Sequence, residues 1–73
     1  MKKITGEEKF QILAHSLSVY SASAYTLYYS ADGEHFTAWG EVTPAGECLV
    51  VNGIAKGMTF YLKDNIGEAK IMF

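Results

Sequence analysis

The sequence predicts an all-β domain, a small antiparallel β-sandwich of about seven strands. No stretch of a dozen residues repeats its apolar side chains at the spacing of an amphipathic helix. Seven glycines are scattered over the 73 residues and divide the chain into short segments, which is typical of sandwiches and small barrels. Several of these segments alternate apolar and polar side chains, as half-buried strands do. A small, partly open barrel is the second choice.

The length favours a single domain, residues 1–73, whose stability depends on more than its own core. A chain of this size buries only about 60% of the surface that its unfolded form exposes. Small domains therefore often need a disulfide, a metal ion or association with other subunits. Cys48 is the single cysteine, which excludes an internal disulfide. One cysteine and two histidines are too few for a structural zinc site, which requires four ligands. We expect no metal and no cofactor, and the hydrophobic fraction of 49% favours self-association.

Charge and hydropathy narrow the classes of partner and the location. A net charge of −2 and the absence of arginine argue against nucleic-acid binding. No apolar run approaches the roughly 20 residues of a membrane span. Residues 1–8 contain acidic side chains where a signal peptide has its apolar region, so we expect no signal peptide. A soluble cytoplasmic protein is the resulting expectation.

The first segments of the chain are predicted to be strands. Residues 2–5 form a possible edge strand, and residues 10–14 alternate with Phe10 and Ile12 on one face. Residues 16–23 contain four serines. We expect a strand there whose outer face carries serines, and a flexible polar loop is the alternative.

Residues 24–39 form the clearest element, a β-hairpin rich in aromatic side chains. Asp32-Gly33 lies between two aromatic runs and predicts the turn, because glycine accepts the positive φ that a tight turn requires. Tyr25, Leu27 and Tyr29 share one face of the first strand. A two-residue loop places Tyr29 opposite Phe36, whereas a longer loop with a bulge at Gly33 brings Tyr25 opposite Trp39. Both registers remain open.

The hairpin reads Tyr-x-Leu-x-Tyr-Ser-x-Asp-Gly-x-x-Phe-Thr over residues 25–37. This wording resembles a hairpin of discoidin-type carbohydrate-binding domains, of fibronectin-type-III-like modules and of short β proteins of phage virions. The resemblance implies a sandwich of fibronectin-like character, and it adds a virion-associated location as the alternative to a cytoplasmic one. No functional residue of those families has a counterpart that can be numbered here.

The second half of the chain contains three further strands. Residues 40–46 are predicted to be a connecting segment, and residues 47–51 an almost fully apolar strand. An apolar run without alternation predicts burial on both faces, in a central strand or in one capped by a neighbouring subunit. Residues 58–63 alternate, with Met58, Phe60 and Leu62 inward. Residues 68–73 end the chain without a polar tail, so we expect them to be paired in the sheet or docked at an interface.

Catalytic chemistry has little support in this sequence. A cysteine nucleophile requires a base and a third group that orients the base. Cys48 lies in an apolar strand, where a thiol acts as a small hydrophobic group, and neither His15 nor His35 lies in a catalytic motif. Most of the acidic residues fall in turns and near the termini, so we predict that the protein is not an enzyme.

Aromatic residues on the outer faces are the candidate interface or ligand-binding residues: Tyr20, Tyr28, Trp39, Tyr61 and the terminal Phe73. Tyrosine and tryptophan are enriched at the centres of protein interfaces, which favours a structural or interaction module that self-associates or joins a larger assembly such as a virion or a surface structure. The alternative is a carbohydrate-binding module in which these rings stack on a sugar. An ordinary sheet face partly covered by loops is the third interpretation.

Overall fold

The computed structural model describes residues 2–73, and Met1 lies outside the described residues. Residues 2–73 contain no helix. They form eight strands, one more than the approximate number expected: β1 Lys2–Thr5, β2 Lys9–Ile12, β3 Ser16–Ser21, β4 Thr26–Ser30, β5 Thr37–Ala38, β6 Cys48–Asn52, β7 Met58–Lys63 and β8 Glu68–Met72. The described chain accordingly has no helical segment with the length and apolar character that a bilayer crossing demands.

The eight strands form two antiparallel sheets of four strands each. Sheet I has the order β1-β8-β3-β6, and sheet II has the order β2-β7-β4-β5. Within residues 2–73 the two sheets remain separate layers and do not close into a barrel. The predicted all-β antiparallel sandwich is confirmed.

The strand pairing is nested, as if one long hairpin had been rolled up. Strand β4 pairs with β5, β3 with β6, β2 with β7 and β1 with β8. Eight strands in two sheets with this order form a jelly roll. The fibronectin-like order does not occur, because sandwiches of that group pair their first two strands within one sheet, whereas β1 and β2 here lie in opposite sheets.

The core lies between the sheets and is built from the inward side of each alternating strand. The Phe10 and Phe60 rings stack across the β2–β7 pair with their centroids 6.1 Å apart. Burying each such side chain fully contributes roughly 1.5–3 kcal/mol. The buried hydrophobic residues are Ile4, Phe10, Ile12, Leu17, Val19, Tyr25, Leu27, Val51, Ile54, Phe60, Leu62, Ala69 and Ile71. The structure thus confirms the inward faces expected for residues 16–20, 25–29 and 58–63, in which Met58 and Tyr29 are partly buried.

Both expected registers of the central hairpin are wrong. Tyr28 pairs with Ala38 and Tyr29 with Thr37, and residues 31–36 form the loop. A longer loop forms because the Asp32 carboxylate, rather than a two-residue turn, organises it. Asp32 Oδ1 accepts hydrogen bonds from the Glu34 and His35 N–H groups at 2.8 and 2.9 Å.

Strand β6 is not a central strand, so that form of the expected burial on both faces is wrong, and capping by a neighbouring subunit stays a prediction. It lies at the edge of sheet I and pairs with β3 alone. Val51 is buried and Leu49 partly buried, whereas Cys48 and Val50 are exposed on the outer face. An apolar run alone does not reveal whether a second layer covers it, and here none of the described chain does.

The last strand is paired, as expected. β8 lies inside sheet I between β1 and β3, and Ala69 and Ile71 on its inner side are fully buried. The serine-rich segment is also a strand and not a loop, since Ser16–Ser21 forms β3. Its serines are not all external, because Ser21 is buried.

Buried Asn65 connects three parts of the sandwich through its side-chain amide. Its Oδ1 accepts hydrogen bonds from Ser21 Oγ at 2.5 Å and Ser23 Oγ at 2.9 Å. Its Nδ2 donates to the carbonyl groups of Gly6 at 2.8 Å and Gly67 at 3.2 Å. The turn between β7 and β8 is therefore joined to the end of β1 and to the segment that leaves β3.

Replacing Asn65 with alanine is expected to lower the free energy of unfolding by about 2 kcal/mol, because buried polar partners lose their hydrogen bonds. Urea unfolding followed by tryptophan fluorescence measures this change. Asn52→Ala, at an exposed position, is the control and should change the stability by less than about 0.5 kcal/mol. Equal stabilities for the two variants would contradict the structural role of Asn65.

Candidate functional site

The five predicted aromatic site residues do not form one patch. Tyr28 and Tyr61 are neighbours on the outer face of sheet II, where their strands pair. Tyr20 lies on the outer face of sheet I, on the opposite side of the molecule. Trp39 follows β5, and Phe73 follows β8. Their role in binding stays a prediction, but the structure distributes them over several separate surfaces.

The outer face of sheet II carries a cluster of three half-buried rings. The Tyr28 and Tyr61 centroids are 6.3 Å apart, and Phe36 meets Tyr61 edge-on at 6.2 Å. Phe36 was not among the predicted site residues. It reaches this face because the loop of residues 31–36 folds back over the sheet, a path that alternation in the sequence does not indicate.

Two lysines cover this aromatic cluster. Lys9 Nζ lies 4.9 Å from the centroid of the Phe36 ring, and Lys63 Nζ lies 5.8 Å from that of Tyr28. Cations bind the faces of aromatic rings through the ring quadrupole. A sugar stacks on the same ring faces, so it would have to displace these lysines.

Glu7 holds one side of the cluster by its carboxylate. Oε2 accepts a hydrogen bond from the Asp64 N–H at 2.6 Å, and Oε1 accepts one from Tyr61 Oη at 2.8 Å. These two bonds lower the pKa of Glu7, the Asp64 bond more strongly. The bond to Glu7 also raises the pKa of Tyr61. The Glu7 carboxylate and the Tyr61 hydroxyl group therefore already have partners within the chain.

Asp32 organises the loop that carries Phe36. Besides the two backbone N–H groups, His35 Nδ1 lies 2.7 Å from Asp32 Oδ2, and Ser30 Oγ donates to Oδ1 at 2.7 Å. The His35 bonds, first from its backbone and then from its ring, together with those from Glu34 and Ser30, hold the pKa of Asp32 well below its ordinary value of 3.8. The motif read as a turn signal is a carboxylate-centred loop.

Trp39 is anchored at the end of the hairpin. Its backbone N–H donates to the Leu27 carbonyl at 2.7 Å. Its ring contacts the Tyr29 ring edge-on, with a centroid distance of 5.4 Å and an interplanar angle of 82°. The indole remains 39% exposed. One side of the ring is thus available to a partner or ligand.

The outer face of sheet I is exposed, and it is largely apolar on the side of β6. The strand register places four exposed side chains around the half-buried Ser18, which lies between Val50 and Met72. We name these four the sheet I strip: Tyr20, Cys48, Val50 and Met72. Tyr20, Met72 and Val50 are 40%, 41% and 57% exposed. Tyr20 was predicted, whereas Val50 and Met72 were missed. The apolar run of residues 47–51 was the available signal, because such a run places apolar groups on both faces.

Strand β6 also gives sheet I an unprotected edge. Each sheet of the described chain has two edge strands, β1 and β6 in sheet I and β2 and β5 in sheet II. Natural edge strands are guarded against pairing with other chains by lysines or by short length. Lys2 and Lys3 guard β1, Lys9 guards β2, and β5 has two residues. The five residues of β6 carry no charge.

A groove of about 350 Å³ opens at one end of the sandwich. Val42 and Ile66 contribute exposed apolar side chains to it, and Asp64 contributes a carboxylate. The hydroxyl group of Ser23 holds the backbone of Ile66, accepting from its N–H at 3.0 Å and contacting its carbonyl at 2.6 Å. No feature of the sequence indicated this groove, because its walls come from three distant segments.

Within residues 2–73, no group of three or more histidine, cysteine, aspartate or glutamate side chains is placed to hold a metal ion. Comparisons with protein-family models, with curated proteins and with solved structures found no match.

The hydrogen bonds to Asp32 predict an acid-sensitive contribution to stability. Because its pKa is lower in the folded than in the unfolded state, this contribution is complete above the ordinary value of 3.8 and is lost as the pH falls towards the folded-state pKa. Asp32→Asn should therefore be less stable than the wild type at neutral pH, and the difference should shrink below about pH 4. Urea unfolding midpoints of both proteins over this range test it, and a difference that stays constant with pH would contradict it.

Proposed function

We propose that this protein is a non-enzymatic interaction module that assembles with copies of itself, alone or within a larger structure such as a virion or a surface assembly. One observation carries the proposal: the sheet I strip continues directly into the uncharged edge strand β6. Cys48 and Val50 belong to both, since they lie on the outer face and in the edge strand.

The distribution of charge on sheet I supports contact on the β6 side. Lys3 and Lys70 pair across β1 and β8, and Tyr20 separates Lys70 from Cys48. Charged side chains thus occupy the β1 side of the outer face, and the β6 side has none within the strand. Interface centres are depleted of charge and rich in apolar and aromatic groups, as this side is.

The energetic argument for assembly comes from apolar side chains that the small core leaves exposed to water. Fully burying an apolar side chain contributes roughly 1.5–3 kcal/mol, so covering a half-exposed one contributes about half as much. A contact along β6 covers part of Val50, and a contact that also covers the outer face adds Tyr20 and Met72. Together the three side chains offer a gain comparable to a fair fraction of a small domain's stability, which is often about 5 kcal/mol. Assembly therefore stabilises the fold as well as the contact.

The virion or surface version of the proposal draws on fold-level analogy. Jelly rolls are common in viral capsid proteins and in lectins. The hairpin of residues 25–37 is also similar to hairpins of short virion β proteins. Because one fold serves many functions, the contact surface itself carries the proposal and the analogy only suggests its setting.

Carbohydrate binding is the second candidate function, and the exposed indole of Trp39 is the observation that favours it. The lectin analogy applies to it as well. Its support is narrower, because Tyr20 and Trp39 lie on different sheets and lysines cover the rings of Tyr28 and Phe36. A single available ring gives a sugar little surface.

Sedimentation equilibrium over micromolar to millimolar concentrations tests assembly. We expect the wild type to self-associate and Val50→Lys to weaken the association at least about tenfold, a cost of 1.4 kcal/mol or more, because the lysine must be desolvated at the contact. Val42→Lys is the matched control, since Val42 is 61% exposed but lies away from β6. A wild type that remains monomeric throughout this range would overturn the proposal.

Fluorescence of Trp39 during titration with sugars tests the alternative. The protein has one tryptophan, so any change in emission reports this site. Saturable changes with one class of glycan, together with the loss in Trp39→Ala of the binding heat measured by calorimetry, would establish carbohydrate binding. We expect no saturable response, and Tyr20→Ala serves as the control for a ring on the other sheet.

A further inference from the structure

We propose that two copies pair β6 with β6 in antiparallel orientation, across a two-fold axis that passes at Val50. The two copies of sheet I then form one continuous sheet of eight strands. This inference rests on the proposed function and names its partner, a second copy of the chain, and its geometry. It is supported by the direction of the backbone groups of β6, by the register and by the side chains.

The backbone groups of Cys48, Val50 and Asn52 face the open edge. In an antiparallel pair, alternate residues direct both backbone groups to the same neighbouring strand. The carbonyl groups of His15 and Ser21 accept hydrogen bonds from the β6 side, from the Ile54 and Gly46 N–H groups at 3.0 and 2.9 Å. Odd-numbered residues of β3 therefore face β6.

The partners of these odd-numbered residues follow from the register. Leu17 pairs with Val51 and Val19 with Leu49, so Leu49 and Val51 use their backbone groups within the protomer. The residues that alternate with them, with Val50 at their centre, direct their backbone groups away from β3. Strand β6 thus presents three residues with unpaired N–H and C=O groups at the edge of the described sheet.

With the two-fold axis at Val50, every residue of β6 lies opposite a residue of the second copy's β6. Val50 then lies opposite the partner's Val50, and Cys48 lies opposite the partner's Asn52. All three outward-facing residues form hydrogen-bonded pairs, which gives about six main-chain bonds between the copies. An axis moved by one residue, to Leu49 or to Val51, pairs only three residues of β6 and leaves one outward-facing residue out.

The same register matches the two faces of the joined sheet. Residues with the same parity oppose each other, so outer side chains meet outer ones and inner side chains meet inner ones. Leu49, which is half-buried at the rim of the core, lies opposite the partner's Val51. Glu47 lies opposite the partner's Gly53, so no like charges oppose each other. The chemistry of β6 is self-complementary.

The other described edges do not offer this arrangement. Pairing β1 with its own copy would bring Lys2 and Lys3 of each chain close together, and like charges across a strand pair are destabilising. Lys9 lies on β2, and the two residues of β5 allow few bonds. Among the four edge strands of the described chain, β6 is long enough for several interchain hydrogen bonds and carries no charge.

Disulfide trapping tests the geometry. In Cys48→Ala/Val50→Cys the two thiols lie directly opposite each other, at the Cα separation of about 5.5 Å that a disulfide accepts. The control is Cys48→Ala/Val42→Cys, whose thiol replaces a valine of similar exposure. Under mild oxidation we expect the Val50→Cys variant to form covalent dimers at least about tenfold faster than the control, because pairing raises the effective concentration of the thiols.

Amide hydrogen exchange on the wild type provides a measurement that needs no variant. The Val50 amide should exchange quickly in dilute protein and at least about tenfold more slowly in concentrated protein, when it bonds to the second copy. The Leu49 and Val51 amides are internal controls, because their bonds to β3 protect them at every concentration.

The outcomes separate this inference from the proposed function. Rapid dimer trapping together with concentration-dependent protection of Val50 supports the β6 pairing. A protein that self-associates without either effect overturns the pairing and leaves the proposed function standing. A protein that stays monomeric at all concentrations overturns both.

Discussion

A chain of 73 residues folded into two sheets has room for one interior, and this constraint governs the rest of the structure. Each sheet buries its inner face against the other, and no third layer remains to cover the outer faces. The buried hydrophobic side chains, such as Phe60 and Leu62, all belong to this single interior. The outer faces must therefore be covered by loops and long side chains or left for another molecule.

The two sheets meet this constraint in different ways. On sheet II, the loop organised by Asp32 places Phe36 against Tyr61, and Lys9 lies over the Phe36 ring. These contacts shield the aromatic cluster from water within one chain. Sheet I has no such loop over Tyr20 and Val50, which remain largely exposed. The difference between the faces is the physical reason for assigning the contact with a partner to sheet I.

The nested pairing of the strands decides which edges stay open. Winding the chain as a rolled hairpin places β8 inside sheet I and leaves β6 at its rim. Asn65 secures the turn before β8 by bonding to Gly6 and Ser21, so the end of the chain is held in the sheet interior. An uncharged strand thus becomes an edge through the topology of the fold. The proposed pairing with a second copy would satisfy the backbone groups that the topology leaves unpaired.

Local side-chain pattern was sufficient to predict the strands that alternate and their inner faces, because a strand's alternation depends on residues one and two positions apart. The positions of Leu17, Phe60 and Leu62 followed from that pattern. Which strands pair depends on residues that lie far apart in the chain, and alternation carries no information about such partners. The edge position of β6, the loop over sheet II and the separation of Tyr20 from Tyr28 were therefore decided only when the two halves of the chain came together.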